Sequence, residues 1–131
     1  MSEPENGNIH TDKARILIVD DMQVNRTILS SMLSEHGITC DLAESGEKCL
    51  EMCQKGNYDM IILDHHMPDL DGVDTLVILK DSFRRSGIET PIICHTTAEG
   101  RGYANLYKAA GFSDILIKPV DETELGELIF R

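Results

Sequence analysis

The sequence predicts a single α/β domain built on one doubly wound, five-stranded parallel sheet with five helices. Short apolar segments alternate five times with helical patterns, and four of these segments are continuously apolar and mostly β-branched. Continuous apolar strands are typical of parallel sheets that helices cover on both faces. The length of 131 residues suits one domain. We therefore expect a β–α unit repeated five times with right-handed crossovers.

The five predicted strands differ in how apolar they are. The continuous ones are 16–19, 60–63, 92–94 and 115–117, whereas segment 38–43 carries Thr39 and Asp41 among its apolar residues. Such dilution is typical of an edge strand. With five strands and an edge-like second strand, the flavodoxin-like order 2-1-3-4-5 is favoured.

Apolar residues at helical spacing predict the five helices, and glycines mark the ends of four of them. These glycines are Gly37, Gly56, Gly87 and Gly111. Ser45 is placed to cap the second helix, and Asp121 with Glu124 has the spacing of a capping box for the fifth. Residues 1–13 are polar and are interpreted as a flexible lead-in or linker before a domain at 14–131.

Charge and cysteine content narrow the classes of function. A net charge of −11 argues against direct binding to nucleic acid. No apolar run reaches the roughly 18 residues of a membrane span, and no signal peptide is visible. We therefore expect a cytoplasmic location without direct membrane contact, either as a single-domain protein or as part of a membrane-anchored one. The cysteines form no C-x-x-C pair and are interpreted as small apolar residues rather than zinc ligands. They are Cys40, Cys49, Cys53 and Cys94.

Polar residues collect at the predicted carboxyl ends of four strands. They are Asp20 and Asp21 after strand one, Asp64 at strand three, Thr96 and Thr97 at strand four, and Lys118 and Pro119 at strand five. Ligands of open α/β sheets bind beyond these ends, where the strand order reverses. Three carboxylates in one cleft repel one another, and a hard divalent cation such as Mg²⁺ would remove the conflict.

The same cleft has the residues that phosphoryl transfer requires. A carboxylate can attack a phosphoryl group, whose negative charge must then be positioned and neutralised. The ammonium of Lys118 and the hydroxyl of Thr96 can each cover a phosphoryl oxygen. The residues alone leave open which of the three carboxylates is the acceptor.

Four stretches, in order and at the right intervals, resemble the receiver domains of two-component response regulators over residues 14–131. The stretches are ILIVDD at 16–21, LDHHMPDLDG at 63–72, PIICHT at 91–96 and KP at 118–119. The segment DDMQVNR at 20–26 is similar in particular to receivers of hybrid histidine kinases.

The resemblance implies that Asp64 is the phosphoacceptor. It also implies that Asp21, Asp64 and the backbone carbonyl of His66 bind Mg²⁺ (or Mn²⁺), with Asp20 acting through a water. Thr96 and Lys118 would contact the phosphoryl group, and the Lys118–Pro119 bond would be cis. The phosphoryl donor would be a histidine kinase or a histidine-phosphotransfer domain, and a switched surface would bind an output partner. Such a domain is not an enzyme beyond its own phosphorylation and dephosphorylation.

Three positions near the site are expected to modulate it. Ile115 stands where many receivers have Tyr or Phe, so a rotamer change at Ile115, or no such switch, must replace the usual movement of a ring. His66 is either a solvent-facing residue or a group that tunes the lifetime of the aspartyl phosphate. Thr97 is the third position, because it directly follows Thr96 at the end of the fourth strand. His65 is expected to serve packing, and His95 is expected to be a hydrogen-bonded core histidine.

In receiver domains, the surface formed by the fourth helix, fifth strand and fifth helix usually binds the output partner. It holds Tyr103, Tyr107 and Phe130, and packing is the favoured role of Tyr107.

Three other classes of protein compete with this interpretation. A phosphatase of the haloacid dehalogenase type needs a second Asp two residues after its nucleophile, and Met22 and Gln23 follow instead. A nucleotide or flavin module would want a glycine-rich loop after strand one, which is missing. A receiver-like module that binds a partner without phosphorylation stays open because of His66 and Ile115.

Overall fold

The structure is a computed structural model that describes residues 14–67 and 70–130. Its elements are β1 (Arg15–Val19), α1 (Gln23–Ser34), β2 (Thr39–Ala43), α2 (Gly46–Lys55), β3 (Met60–Asp64), α3 (Gly72–Ser86), β4 (Ile92–Thr97), a 3₁₀ helix (Ala98–Tyr103), α4 (Ala104–Ala110), β5 (Asp114–Lys118) and α5 (Glu122–Phe130). The predicted lead-in at 1–13 lies outside the described residues, as do positions 68, 69 and 131.

All neighbouring strands are parallel, and their order is β2-β1-β3-β4-β5. The predicted α/β class, the strand order and the edge position of the second strand are confirmed. In the register, Val19 lies beside Leu63 and Asp64 lies beside His95. The carboxyl ends of the three central strands therefore meet at one edge of the sheet.

Apolar side chains cover both faces of the sheet, as continuous apolar strands require. On one face, alternate strand residues pack with α2, α3 and α4 through residues such as Cys49, Leu76 and Phe83. On the other face, Leu29 of α1 and Leu125 of α5 cover the remaining strand residues. Both cores include fully buried strand residues, so the sheet is a rigid support for the polar residues at its edge.

Helix α2 begins as predicted, but the start of α5 differs from the prediction. Ser45 Oγ accepts a hydrogen bond of 3.0 Å from the backbone N–H of Lys48, which caps α2. At α5, the carboxylate of Asp121 accepts a 2.7 Å hydrogen bond from the N–H of Thr123. The carboxylate of Glu124 lies 3.4 Å from Arg101 on the neighbouring 3₁₀ helix. The reciprocal half of the predicted capping box is therefore replaced by a tertiary ion pair.

The fourth helical segment starts as the 3₁₀ helix and continues as α4. The sequence places Gly100 and Gly102 in this first part, where they weaken an α-helix. Helix α4 is short, and none of its residues is buried. It is therefore the helix with the weakest hold on the core.

All four cysteines are free thiols; Cys49 and Cys94 are buried, and Cys40 and Cys53 are partly buried. Within the described part of the chain, no helix combines the length and the apolar character that crossing a membrane would require.

Candidate functional site

Three carboxylates come together at the carboxyl ends of β1 and β3. Asp20, Asp21 and Asp64 each have a carboxylate oxygen within 4.8 Å of the others. They meet because the pairing of Val19 with Leu63 brings the ends of the two strands side by side. This is the point where the strand order reverses, at which ligands of such sheets bind.

Asp20 is the most constrained of the three carboxylates. It is 1% exposed, and its Oδ1 accepts hydrogen bonds from the N–H of Met22 (2.9 Å) and from Asn25 Nδ2 (3.4 Å). The guanidinium of Arg26 donates a 2.6 Å hydrogen bond to the Asp20 carbonyl. Asn25 and Arg26 thus hold the end of β1, a role that no motif in the sequence indicates.

Lys118 supplies the positive charge of the cleft. Its Nζ donates a 2.8 Å hydrogen bond to Asp64 Oδ1 and lies 3.3 Å from Asp20 Oδ2. The long side chain extends from β5 past β4 to reach both carboxylates. The Lys118–Pro119 peptide bond is cis, as the resemblance implies.

Burial, hydrogen bonding and charge together set the pKa values of Asp64 and Lys118. Burial raises the pKa of the Asp64 carboxyl to about 6; the hydrogen bond from Lys118 opposes the rise, and the charge of Asp20 adds to it. Burial lowers the pKa of Lys118, but the hydrogen bond and charge of Asp64, with the charge of Asp20, outweigh it, so that this pKa is raised. Lys118 therefore stays charged, while Asp64 can take up a proton in mildly acidic solution.

The donor set fits Mg²⁺. The side-chain ligand atoms of this cluster are carboxylate oxygens, which a hard cation prefers. Asp20 Oδ2 is buried and has no hydrogen-bond partner among the described residues. The nearest positive charge is the Lys118 ammonium, which lies 3.3 Å away and is already hydrogen-bonded to Asp64. The three carboxylates therefore share this ammonium and still carry negative charge that Mg²⁺ would offset. Asp21 is exposed, which keeps one side of the cluster open to solvent.

Thr96 lies buried near the end of β4, with 1% of its surface exposed. The 3₁₀ helix packs directly on it, because a Cβ added to Gly100 would lie 2.5 Å from Thr96 Oγ1 and Cγ2. Only a glycine lets the backbone approach this closely. Thr97 is exposed at the end of the same strand.

The three histidines near the site have different environments. The side chain of His66 is exposed, and its backbone N–H donates a 3.3 Å hydrogen bond to Asp64 Oδ1. His65 is partly buried and packs on Tyr107, with 5.0 Å between ring centroids. His95 is 4% exposed, and its Nε2 has no partner among the described residues. The prediction of a hydrogen-bonded His95 was therefore wrong at this atom, and burial lowers its pKa to about 4.

Ile115 is partly buried on β5 and packs against the core that also receives Tyr107. Tyr107 therefore serves packing, as predicted. Tyr103 is 55% exposed, and Phe130 is 38% exposed.

Comparison with known proteins agrees with this arrangement. The profile of the response regulator receiver domain matches residues 16–130. Two-component response regulator 24 of Arabidopsis thaliana is 32% identical over 125 residues, which are 95% of this chain and 87% of the relative. The aerobic respiration control sensor protein ArcB of Escherichia coli K12 is 32% identical over 114 residues, 87% of this chain but 14% of ArcB.

A solved structure gives the same result for the fold. It is the co-crystal of the Saccharomyces cerevisiae histidine phosphotransfer signalling protein Ypd1 with the receiver domain of its downstream response regulator Ssk1. The match has a TM-score of 0.82 and 26% identity, and covers 89% of this chain and 86% of the matched one. The chain belongs to the response regulator receiver domain family of two-component signalling.

Proposed function

We propose that this receiver domain accepts a phosphoryl group on Asp64 in a reaction that depends on Mg²⁺. The observation that supports this most strongly is the setting of the Asp64 carboxylate. It is buried, hydrogen-bonded to Lys118 and close to two further carboxylates. A structural ion pair would need one carboxylate, whereas a metal-assisted phosphoryl acceptor needs a cluster with a cation beside it.

The proposed step moves the phosphoryl group from a nitrogen of the donor to an oxygen of Asp64. An oxygen of Asp64 forms a bond to phosphorus, and the P–N bond of a phosphohistidine donor breaks. The electron pair of that bond stays on the imidazole nitrogen, which takes up a proton. Lys118 offsets charge on the phosphoryl oxygens, and the hydroxyl of Thr96 donates a hydrogen bond to one of them.

The acidic cluster would hold the metal. Asp21, Asp64 and the backbone carbonyl of His66 would be direct ligands, with Asp20 acting through a water; Mn²⁺ can take the same oxygen ligands. When bound, the cation neutralises charge on the transferring group. Arg26 keeps the end of β1 in place through the carbonyl of Asp20.

The proposed donor is a histidine kinase or a histidine-phosphotransfer domain. The yeast co-crystal supports the second, since it contains a receiver domain together with a histidine phosphotransfer protein. The phosphorylated domain would bind an output partner through an altered surface. It would catalyse only its own phosphorylation and dephosphorylation, and the exposed ring of His66 would influence the second reaction.

A phosphoramidate experiment tests this proposal, because that small molecule presents a P–N bond as phosphohistidine does. With labelled phosphoramidate and Mg²⁺, the protein should take up label that neutral hydroxylamine releases, as expected of an acyl phosphate. Asp64→Asn should take up none. Asp74→Asn, at an exposed position of α3, is the matched control and should be labelled normally. Hydroxylamine-sensitive label on Asp64→Asn would contradict the assignment of the acceptor.

A further inference from the structure

An aromatic contact joins the residue after the phosphoacceptor to helix α4. The ring centroids of His65 and Tyr107 lie 5.0 Å apart with the planes at 61°. The His66 ring lies 4.4 Å from the His65 ring. Phe112 lies 6.1 Å from Tyr107 and nearly perpendicular to it.

The His65 end of this contact is tied to the site through the backbone. The His65 N–H donates to the carbonyl of His95, and its own carbonyl accepts from the N–H of Gly72. The next residue, His66, donates its N–H to Asp64 Oδ1. A change at the Asp64 carboxylate therefore acts on the backbone segment that positions the His65 ring.

Tyr107 is a main contact between helix α4 and the core, and α4 has few other contacts of this kind. Helix α4 contains no buried residue, and Tyr107 is its side chain that packs against the core. A helix with so little buried surface needs little free energy to shift. A displacement of the His65 ring would therefore be passed to α4 through Tyr107.

The fifth strand offers no comparable ring. Its sequence, DILIK, has no aromatic residue, and Ile115 is an aliphatic side chain packed beside the same core. Aromatic pairs have a defined geometry, with preferred distances and angles between the rings. They suit a coupling element better than a β-branched side chain with a stiff χ1 angle.

We propose that the contact between His65 and Tyr107 transmits the state of Asp64 to α4, in place of a residue on β5. This inference rests on the proposed function, since it assigns the path by which phosphorylation of Asp64 alters the surface around α4. It predicts that loss of either ring separates phosphorylation from the response of α4.

Hydrogen exchange of the α4 amides, Ala104–Ala110, tests the proposal in the presence of Mg²⁺ with and without beryllofluoride, a phosphoryl mimic. In the wild type the mimic should change these exchange rates. His65→Ala and Tyr107→Leu should reduce that change at least about threefold, because coupling along a contact is lost with either partner. Tyr107→Phe keeps the ring and should keep the response. Tyr103→Leu, on an exposed ring that is 6.4 Å from Tyr107, should also keep it.

Intact mass after treatment with acetyl phosphate separates the two proposals. The inference is supported if His65→Ala and Tyr107→Leu still gain a phosphoryl group while α4 no longer responds. It is overturned if α4 responds normally in both variants, or if only Ile115→Val abolishes the response. If the wild type gains no phosphoryl group and binds no beryllofluoride, the proposed function itself is contradicted and the inference falls with it.

Discussion

The ammonium nitrogen of Lys118 donates a 2.8 Å hydrogen bond to Oδ1 of Asp64, although 54 residues separate the two in the chain. The same nitrogen lies 3.3 Å from Asp20 Oδ2. Lys118 therefore offsets negative charge from two carboxylates and is placed to do so for a phosphoryl group bound to Asp64.

Replacement of this charge should slow phosphorylation. We expect Lys118→Gln to lower the rate of Asp64 phosphorylation by acetyl phosphate roughly 100- to 1,000-fold, the range for loss of one donor to transition-state charge. Lys108→Gln removes an exposed lysine from α4 and serves as the control. Equal rates for Lys118→Gln and the control would show that Lys118 has no part in the transfer.

Metal binding should depend on pH through Asp64. Its pKa of about 6 lies above the ordinary carboxyl value. Protonation of Asp64 therefore stabilises the metal-free fold, fully below the ordinary value, and this contribution is lost as the pH rises through about 6. Mg²⁺ requires the deprotonated form, so its affinity should be roughly tenfold lower at pH 5 than at pH 7.5.

Calorimetric titration with Mg²⁺ at the two pH values measures this dependence. Asp64→Asn should bind more weakly and should lose most of the difference between the two pH values. An affinity that is the same at both pH values in the wild type would contradict the raised pKa.

The close approach of Gly100 to Thr96 allows a matched pair of substitutions. In Gly100→Ala the new Cβ would lie 2.5 Å from the Thr96 side chain. We expect a loss of about 1–3 kcal/mol in the free energy of unfolding, as for other overpacked sites, together with slower phosphorylation. Gly102→Ala lies two residues away with nothing within 4 Å of its Cβ, and it should not lower the free energy of unfolding. Denaturant unfolding and the rate with acetyl phosphate measure both effects; equal behaviour of the two variants would contradict the packing described.

The ring of His66 should affect how long the aspartyl phosphate lasts. The side chain is exposed at the rim of the cleft, and its backbone N–H donates to Asp64. Loss of the ring in His66→Ala should shorten the lifetime if the ring shields the phosphate from water. It should lengthen the lifetime if the ring orients the attacking water. Decay of the phosphorylated protein, followed by mass, distinguishes these results, and an unchanged rate would exclude both roles.

Local patterns of apolar residues predicted the fold because burial in the core selects apolar side chains. The continuous apolar strands and the diluted edge strand are consequences of which faces the sheet buries. Topology then predicted that Asp20 and Asp64 would lie together, since the ends of adjacent parallel strands share one edge.

Contacts between distant residues were not predictable from local patterns. The pairing of Glu124 with Arg101 competes with a local cap, and only the approach of two helices decides it. The Nε2 of His95 has no partner among the described residues, and this too depends on which side chains neighbouring elements place around the ring. The hydrogen bond from Arg26 to Asp20 is nearer in sequence, but no spacing rule identifies a side chain that binds the end of a strand.

Intact mass after incubation with acetyl phosphate and Mg²⁺ tests the central claim most directly. The account predicts an added mass of about 80 Da that is absent without Mg²⁺ and absent in Asp64→Asn. If no adduct forms, binding of beryllofluoride shows whether the phosphate is merely short-lived. Failure of both would contradict phosphorylation of Asp64 and leave a module that binds its partner without it.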